Sequence, residues 1–137
     1  MKLLGLMSGT SLDGIDAALL EVEELDLGSQ NKVPRVLGSL DWELLAFRTR
    51  PFSSQERGAI QETMASGGAR EMALLHTRLG EWFAAVALEL LEEERVTPES
   101  VSALGSHGLT IWHEPPQAEI RGTSLQMGCP ATLAERT

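Results

Sequence analysis

The 137-residue chain is poor in cysteine, in positive charge and in long apolar runs. Its single cysteine, Cys129, excludes an intramolecular disulfide and a cysteine-rich zinc site. A reducing cytoplasm is the natural compartment for such a chain. Only 11 Lys and Arg stand against 20 Asp and Glu, a net charge of -9. That deficit argues against sequence-independent binding to nucleic acid, which leans on basic contacts to phosphates. It also argues against an anionic membrane surface as a partner. A nucleotide is not excluded, because backbone amides and a metal ion can meet phosphate locally. No stretch approaches the roughly 20 apolar residues that span a bilayer. The apolar run after Lys2 is interrupted by Gly5 and Ser8 and meets Asp13, too short for a signal-peptide core. No Gly-x-Ser-x-Gly elbow occurs, which removes the usual mark of a serine hydrolase. What remains is ordinary globular material, 42% hydrophobic and 23% charged, with room for one domain and a core.

Within that material, residues 5 to 16 carry the densest chemistry. Gly5-Leu6-Met7-Ser8-Gly9-Thr10-Ser11-Leu12-Asp13-Gly14-Ile15-Asp16 sets glycines, three hydroxyls and two carboxylates between two apolar runs. Leu3 to Met7 and Ile15 to Val22 read as buried strands, and the link is too short for a crossover helix. A hairpin follows, its tip offering backbone amides. Such a tip suits phosphate: glycines let the backbone approach, hydroxyls donate, and a carboxylate holds a metal ion on the phosphate. The competing reading is a plain β-turn, since Asp-Gly is a common hairpin signal.

Further along, Gly28, Ser29, Gln30 and Asn31 mark a loop at the tip of a second hairpin. Val36 to Arg48 reads as a third strand, with Leu40, Trp42, Leu44 and Ala46 on one face, ending at Arg50-Pro51-Phe52. Ser53-Ser54-Gln55-Glu56 fits a capping box, predicting a helix from about Ser54 to Ala65 that Ser66-Gly67-Gly68 stops. A longer helix is predicted from Ala69 to Glu94. Met72, Leu75, Leu79, Trp82 or Phe83, Val86 and Leu90 form its buried stripe. Gly80 inside it costs about 1 kcal/mol relative to Ala, which a close packing contact would justify. Glu92, Glu93 and Glu94 read as a solvated helix end that opposes the helix dipole and frays. Thr97-Pro98-Glu99-Ser100 starts a short turn. Val101 to Ser106 is then a buried fourth strand, Ser124 to Met127 a short strand, and Pro130 to Arg136 a helix. A strand meander followed by a helical crossover is a mixed α/β layer.

A second cluster, Ser106-His107-Gly108-Leu109-Thr110, is expected where the fourth strand ends, the edge at which α/β sheets collect ligands. Thr110, Trp112, His113 and Glu114 follow, before Pro115-Pro116 stiffens the loop. A hydroxyl, an imidazole and a flat indole suit a carbohydrate. The bland alternatives stay open: a structural histidine at His107, a packing aromatic at Trp112, and exposed His113 and Glu114. A metal hydrolase using His107, His113 and an aspartate lacks helical ligand spacing and a third ligand nearby. A Ser/His/Asp hydrolase and a non-catalytic nucleotide or sugar sensor are further alternatives on residue types alone.

Three ordered blocks carry a resemblance. Met7 to Asp16 closely resembles the N-terminal signature of anhydro-N-acetylmuramic acid kinases. The likeness continues through Leu104 to His113, and in a third block through Ser124 to Ala131 and Leu133 to Thr137. The family usually has Gln where Leu109 sits, and Asp or Asn where Cys129 sits. The resemblance implies an α/β fold of the actin-like ATPase type seen in sugar kinases. Residues 1–137 would form its N-terminal lobe, incomplete at the C-terminus. It implies that ATP and water convert 1,6-anhydro-N-acetylmuramic acid into N-acetylmuramic acid 6-phosphate and ADP, recycling cell-wall sugar. Gly9, Thr10, Ser11, Leu12, Asp13, Gly14, Ile15 and Asp16 would lie at the ATP phosphates, with Asp13 at Mg2+. Ser106, His107, Gly108, Thr110, Trp112 and His113 would shape the sugar side. The family's water-activating aspartate lies in an Asp-Thr-Gly-Pro segment that does not occur here, so no catalytic residue is assigned and this stretch alone is expected to be inactive. A homodimer of the full-length protein is also implied. Apolar surface left open by an incomplete lobe is expected to favour association.

Overall fold

A computed structural model of the chain describes residues 1–23, 41–118 and 121–137. Its elements run β1 (Lys2–Ser8), β2 (Gly14–Val22), β3 (Trp42–Pro51), α1 (Ser54–Ser66) and α2 (Ala69–Glu93). A 3-10 turn at Pro98–Ser100 leads to β4 (Val101–Glu114), β5 (Thr123–Met127) and α3 (Pro130–Arg136). The strands among the described residues form one five-stranded sheet in the order β3-β2-β1-β4-β5. β1 pairs antiparallel with β2, and β2 with β3. The α1–α2 crossover returns β4 parallel to β1, and β5 folds back antiparallel on β4. The meander, the crossover and the mixed α/β layer are therefore as the residue pattern predicts.

Strand alternation gives the sheet a buried face. Leu4, Leu6 and Ser8 on β1 point inward, as do Ile15, Ala17 and Leu19 on β2. The α2 stripe meets them with Leu75, Leu79, Phe83, Val86 and Leu90. Phe83, not Trp82, takes the core position; Trp82 packs at the margin against Phe52, ring centroids 5.9 Å apart. Gly80 is explained by contact. A Cβ there would lie 2.7 Å from the Cys129 carbonyl oxygen, so the backbone of α2 packs directly against the residue that starts α3. The capping box forms as expected: Ser53 Oγ accepts from the Glu56 amide at 3.1 Å, and Glu56 accepts from the Ser53 amide at 2.8 Å. Glu92, Glu93 and Glu94 are exposed, but Glu93 and Glu89 pair with Arg48, whose pKa is raised chiefly by its hydrogen bond to Glu93.

Three strand expectations need correction. β4 does not end at Ser106; it continues to Glu114. Gly108 adopts φ +77°, and the β1 register jumps between Leu6 and Ser8, so the glycine makes a bulge instead of a stop. From Leu109 onward β5 supplies a second neighbour, which sustains the strand. The first half of β4 is also not buried. Ser102, Ala103, Gly105, Ser106 and His107 are exposed, because β5 pairs only beyond the bulge. On β3, Leu44 and Ala46 do not share a face. Leu19 opposes Ala46 and Leu20 opposes Leu44, so the bulge at Leu45 turns Ala46 inward and leaves Leu44 exposed. Leu40, the start of the expected third strand and the 28–31 loop lie outside the described residues.

Candidate functional site

The link between β1 and β2 is a tight turn held from three sides. The buried Ser8 hydroxyl donates to the Gly14 carbonyl at 2.7 Å, tying the neck of the hairpin. The Leu12 amide donates to the Gly9 carbonyl at 3.3 Å, and Leu12 takes φ +56° with its side chain in the core. That inward plug leaves Thr10, Ser11 and Asp13 exposed and Gly9 half-exposed at the tip. The end of β3 braces the other side, where the Phe52 amide donates to the Asp13 carbonyl at 3.1 Å. Gly14 serves this brace: a Cβ there would sit 2.4 Å from the Arg50 carbonyl oxygen. Ile15 is wholly buried. Leu12, Gly14 and Ile15 therefore face the fold, while Thr10, Ser11 and Asp13 face solvent. Asp16 points to the other sheet face. Its carboxylate accepts from Thr49 Oγ1 at 2.6 Å, beside a shallow apolar pocket of about 320 Å³ that Met7, Ala18 and Phe47 also line.

Arg50 stiffens the same region. Its guanidinium forks onto Glu56 at 3.1–3.2 Å, joining the end of β3 to the start of α1. Burial pushes the Glu56 carboxyl up, but Arg50 and Ser53 outweigh it and hold its pKa below the ordinary range.

The second cluster lies next to the turn. In the parallel β1–β4 pair, Ser8 opposes Leu109, so the turn leaves β1 beside the His107–Gly108 bulge. His107 is exposed, and the Gly108 amide donates to Ser106 Oγ at 3.2 Å. Beyond the bulge Thr110 is half-buried, and Trp112 and His113 are exposed on the β4–β5 hairpin opposite Leu125 and Ser124. Trp112 is 59% exposed, so it is not a core aromatic within the described residues. Ser106 turns toward a largely apolar cavity of about 490 Å³ shared with Leu4, Leu104 and Leu133, apart from the other cluster members.

The two positions that depart from the family pattern have plain structural places. Leu109 is fully buried between Ser8 and Met127, where an apolar side chain suits the core. Cys129 is the N-cap of α3. Asp and Asn are favoured there because their oxygens accept the free amides. No side-chain cap bond of normal geometry forms, yet the nearby Thr132 hydroxyl and amide hold the thiol below its usual range.

Residue types alone gave no role to His76, Thr49 or Arg50. His76 accepts the Gly128 amide through Nδ1, a contact between residues 52 positions apart. A histidine four residues before the helical Gly80 on the same face of α2 was the available signal.

The sequence profile of the family described as anhydro-N-acetylmuramic acid kinase matches residues 1–137. The chain belongs to this family. A relative named anhydro-N-acetylmuramic acid kinase from Bacillus cereus (strain ATCC 10987 / NRS 248) is 36% identical over 140 residues, covering 100% of this chain and 34% of the relative. Another with that name, from Caldanaerobacter subterraneus subsp. tengcongensis, is 39% identical, covering 98% of this chain and 33% of the relative. The chain thus spans about a third of the length of these anhydro-N-acetylmuramic acid kinases. Among the described residues no helix is long and apolar enough to cross a membrane.

Proposed function

We propose that residues 1–137 supply the phosphate-binding hairpin and part of the sugar side of an anhydro-N-acetylmuramic acid kinase lobe. The observation that carries this reading is the parallel register that sets the Gly9–Asp13 turn beside the β4 bulge. One cluster has phosphate chemistry, the other carbohydrate chemistry, and they share an edge of the sheet. The β3-β2-β1-β4 order with its helical crossover supports an actin-like ATPase lobe.

The donor set fits a nucleotide. Thr10 and Ser11 are exposed hydroxyl donors, and Asp13 is an exposed hard oxygen ligand at the same tip. Among the described residues no three ligating side chains converge on a metal site. Mg2+ does not need them, because it keeps waters and takes one or two carboxylates plus phosphate oxygens. Bound there, Mg2+ would neutralise phosphate charge during transfer. Thr10, Ser11 and the Gly9 backbone would orient the terminal phosphate. Leu12 and Ser8 keep the tip rigid, and phosphoryl transfer rewards such positioning. Asp16, bonded to Thr49, would act on the hairpin only at one remove.

On the other side His107 and Thr110 would hydrogen-bond the anhydro sugar, and Trp112 would offer its ring an apolar face. The overall conversion would be ATP-dependent ring opening to N-acetylmuramic acid 6-phosphate in the cytoplasm. Residues 1–137 carry no Asp-Thr-Gly-Pro segment, so they would bind without turnover.

The test is a titration of the chain with Mg·ATP, read by amide resonances. Shifts confined to residues 9–13, weakened roughly tenfold to a hundredfold in Asp13→Asn, are expected, since charged contacts are worth about 1.5–3 kcal/mol. Shifts elsewhere, or none at millimolar nucleotide, would sink the phosphate reading. Steady ADP release with the anhydro sugar would overturn the inactive-lobe reading alone.

A further inference from the structure

We propose that His76 is a positioning residue for the β4 bulge, acting through the Gly128–Cys129 turn. His76 receives two successive amides of that turn. Its Nδ1 accepts the Gly128 N–H at 3.1 Å, and its backbone carbonyl accepts the Cys129 N–H at 2.9 Å. Four residues on, Gly80 presents its bare Cα to the Cys129 carbonyl. One face of α2 thus grips both the amide side and the carbonyl side of the turn.

The turn in turn sets the bulge. Gly128 has φ +134°, and a Cβ there would meet the Phe83 ring at 3.2 Å and the Gly108 Cα at 3.6 Å. Gly108 has φ +77°, and a Cβ there would lie 2.6 Å from the Met127 carbonyl oxygen. Backbone rests on backbone, with no side chain between to absorb a shift. His107 immediately precedes Gly108, so its direction depends on where the turn is held. For Nδ1 to accept, its lone pair must be free and any ring proton must sit on Nε2. A leucine at position 76 would leave a half-buried amide without a partner, whereas asparagine offers an acceptor oxygen. The value of this arrangement for sugar recognition rests on the function proposed above; the anchoring does not.

The experiment uses the isotope-labelled 137-residue chain without ligand. In the native chain a scalar coupling across Gly128 N–H to His76 Nδ1 is expected, and its absence overturns the proposal whether or not any variant folds. In His76→Leu, exchange of the Gly128, Cys129 and Gly108 amides should quicken about tenfold, as for loss of one hydrogen bond. The His107 ring resonances should move with them. His76→Asn should restore most of the protection and the His107 resonances. An unmoved Gly108 and His107 while Gly128 opens would show that His76 holds only its own turn, and the proposal fails. So would an asparagine variant that behaves like leucine. A separate titration with the anhydro sugar, read at His107 and Trp112, tests the sugar reading, so the two can fail independently.

Discussion

The two faces of the sheet have been treated very differently by the same five strands. On the helix face, Leu4, Leu6, Ile15, Ala17 and Leu19 are buried beneath α2. On the other face, Met7 is 45% and Phe47 59% exposed, around a pocket floored by Gly5 and Gly105. The strands alternate on both sides, yet among the described residues only one side has a helix stripe to meet it. Strand pattern therefore provides two candidate faces, and the crossover direction selects one. The candidate site lies at the edge shared by both faces, with Ser8 and Leu12 turned into the core and Asp16 onto the open side. Its rigidity comes from the covered face.

The contrast can be broken most severely at Leu79, which is fully buried. Leu79→Ala should cost about 2–5 kcal/mol of stability through lost burial and a residual cavity. Urea unfolding measures this, and a loss below about 1 kcal/mol would mean that the α2 stripe is not what covers the sheet. Gly80→Ala comes next. Helix propensity alone favours the change by about 1 kcal/mol, but the new Cβ would approach the Cys129 carbonyl to 2.7 Å. Overpacking of about 1–3 kcal/mol should win. A raised melting temperature would show that α3 yields easily.

The capping box of α1 gives a smaller effect. Ser53→Ala should cost about 1 kcal/mol, readable in the same urea series. Glu56 adds a pH signature. Its folded pKa is depressed, so its contribution is present above the unfolded carboxylate pKa and lost as pH falls through the folded value. The stability gap between the native chain and Glu56→Gln should close on acidification; a gap that widens instead would reverse the sign of the shift. Smallest of all, Phe47→Ser on the open face should change monomer stability by only about 0.5 kcal/mol. Light scattering tells whether the same change reduces self-association, as expected if the open apolar face drives it.

Much of the fold was legible because its signals are local. Ser53 and Glu56 lie three residues apart and predict the start of α1. The stripe from Leu75 to Leu90 predicts α2, and Ser66-Gly67-Gly68 its separation from α1. The hairpin tip was legible as a polar turn, and Thr10, Ser11 and Asp13 are indeed its exposed side chains. Less legible was which glycine serves what. Gly14 reads as room for a ligand, yet it makes room for β3. The Ser106–Thr110 segment reads as the end of a strand, yet Gly108 within it bends a strand that continues.

The order of the chain's residues determined the elements and their ends, because capping, periodicity and turn chemistry act within a few positions. Tertiary structure alone decided the bulges at Leu45 and Gly108, the face that Leu44 and Asp16 occupy, and the pairing of His76 with Gly128. Each of those depends on a partner supplied from elsewhere in the chain. Pairing register and backbone contact come into being only when the strands and helices have met, so no short window of sequence contains them.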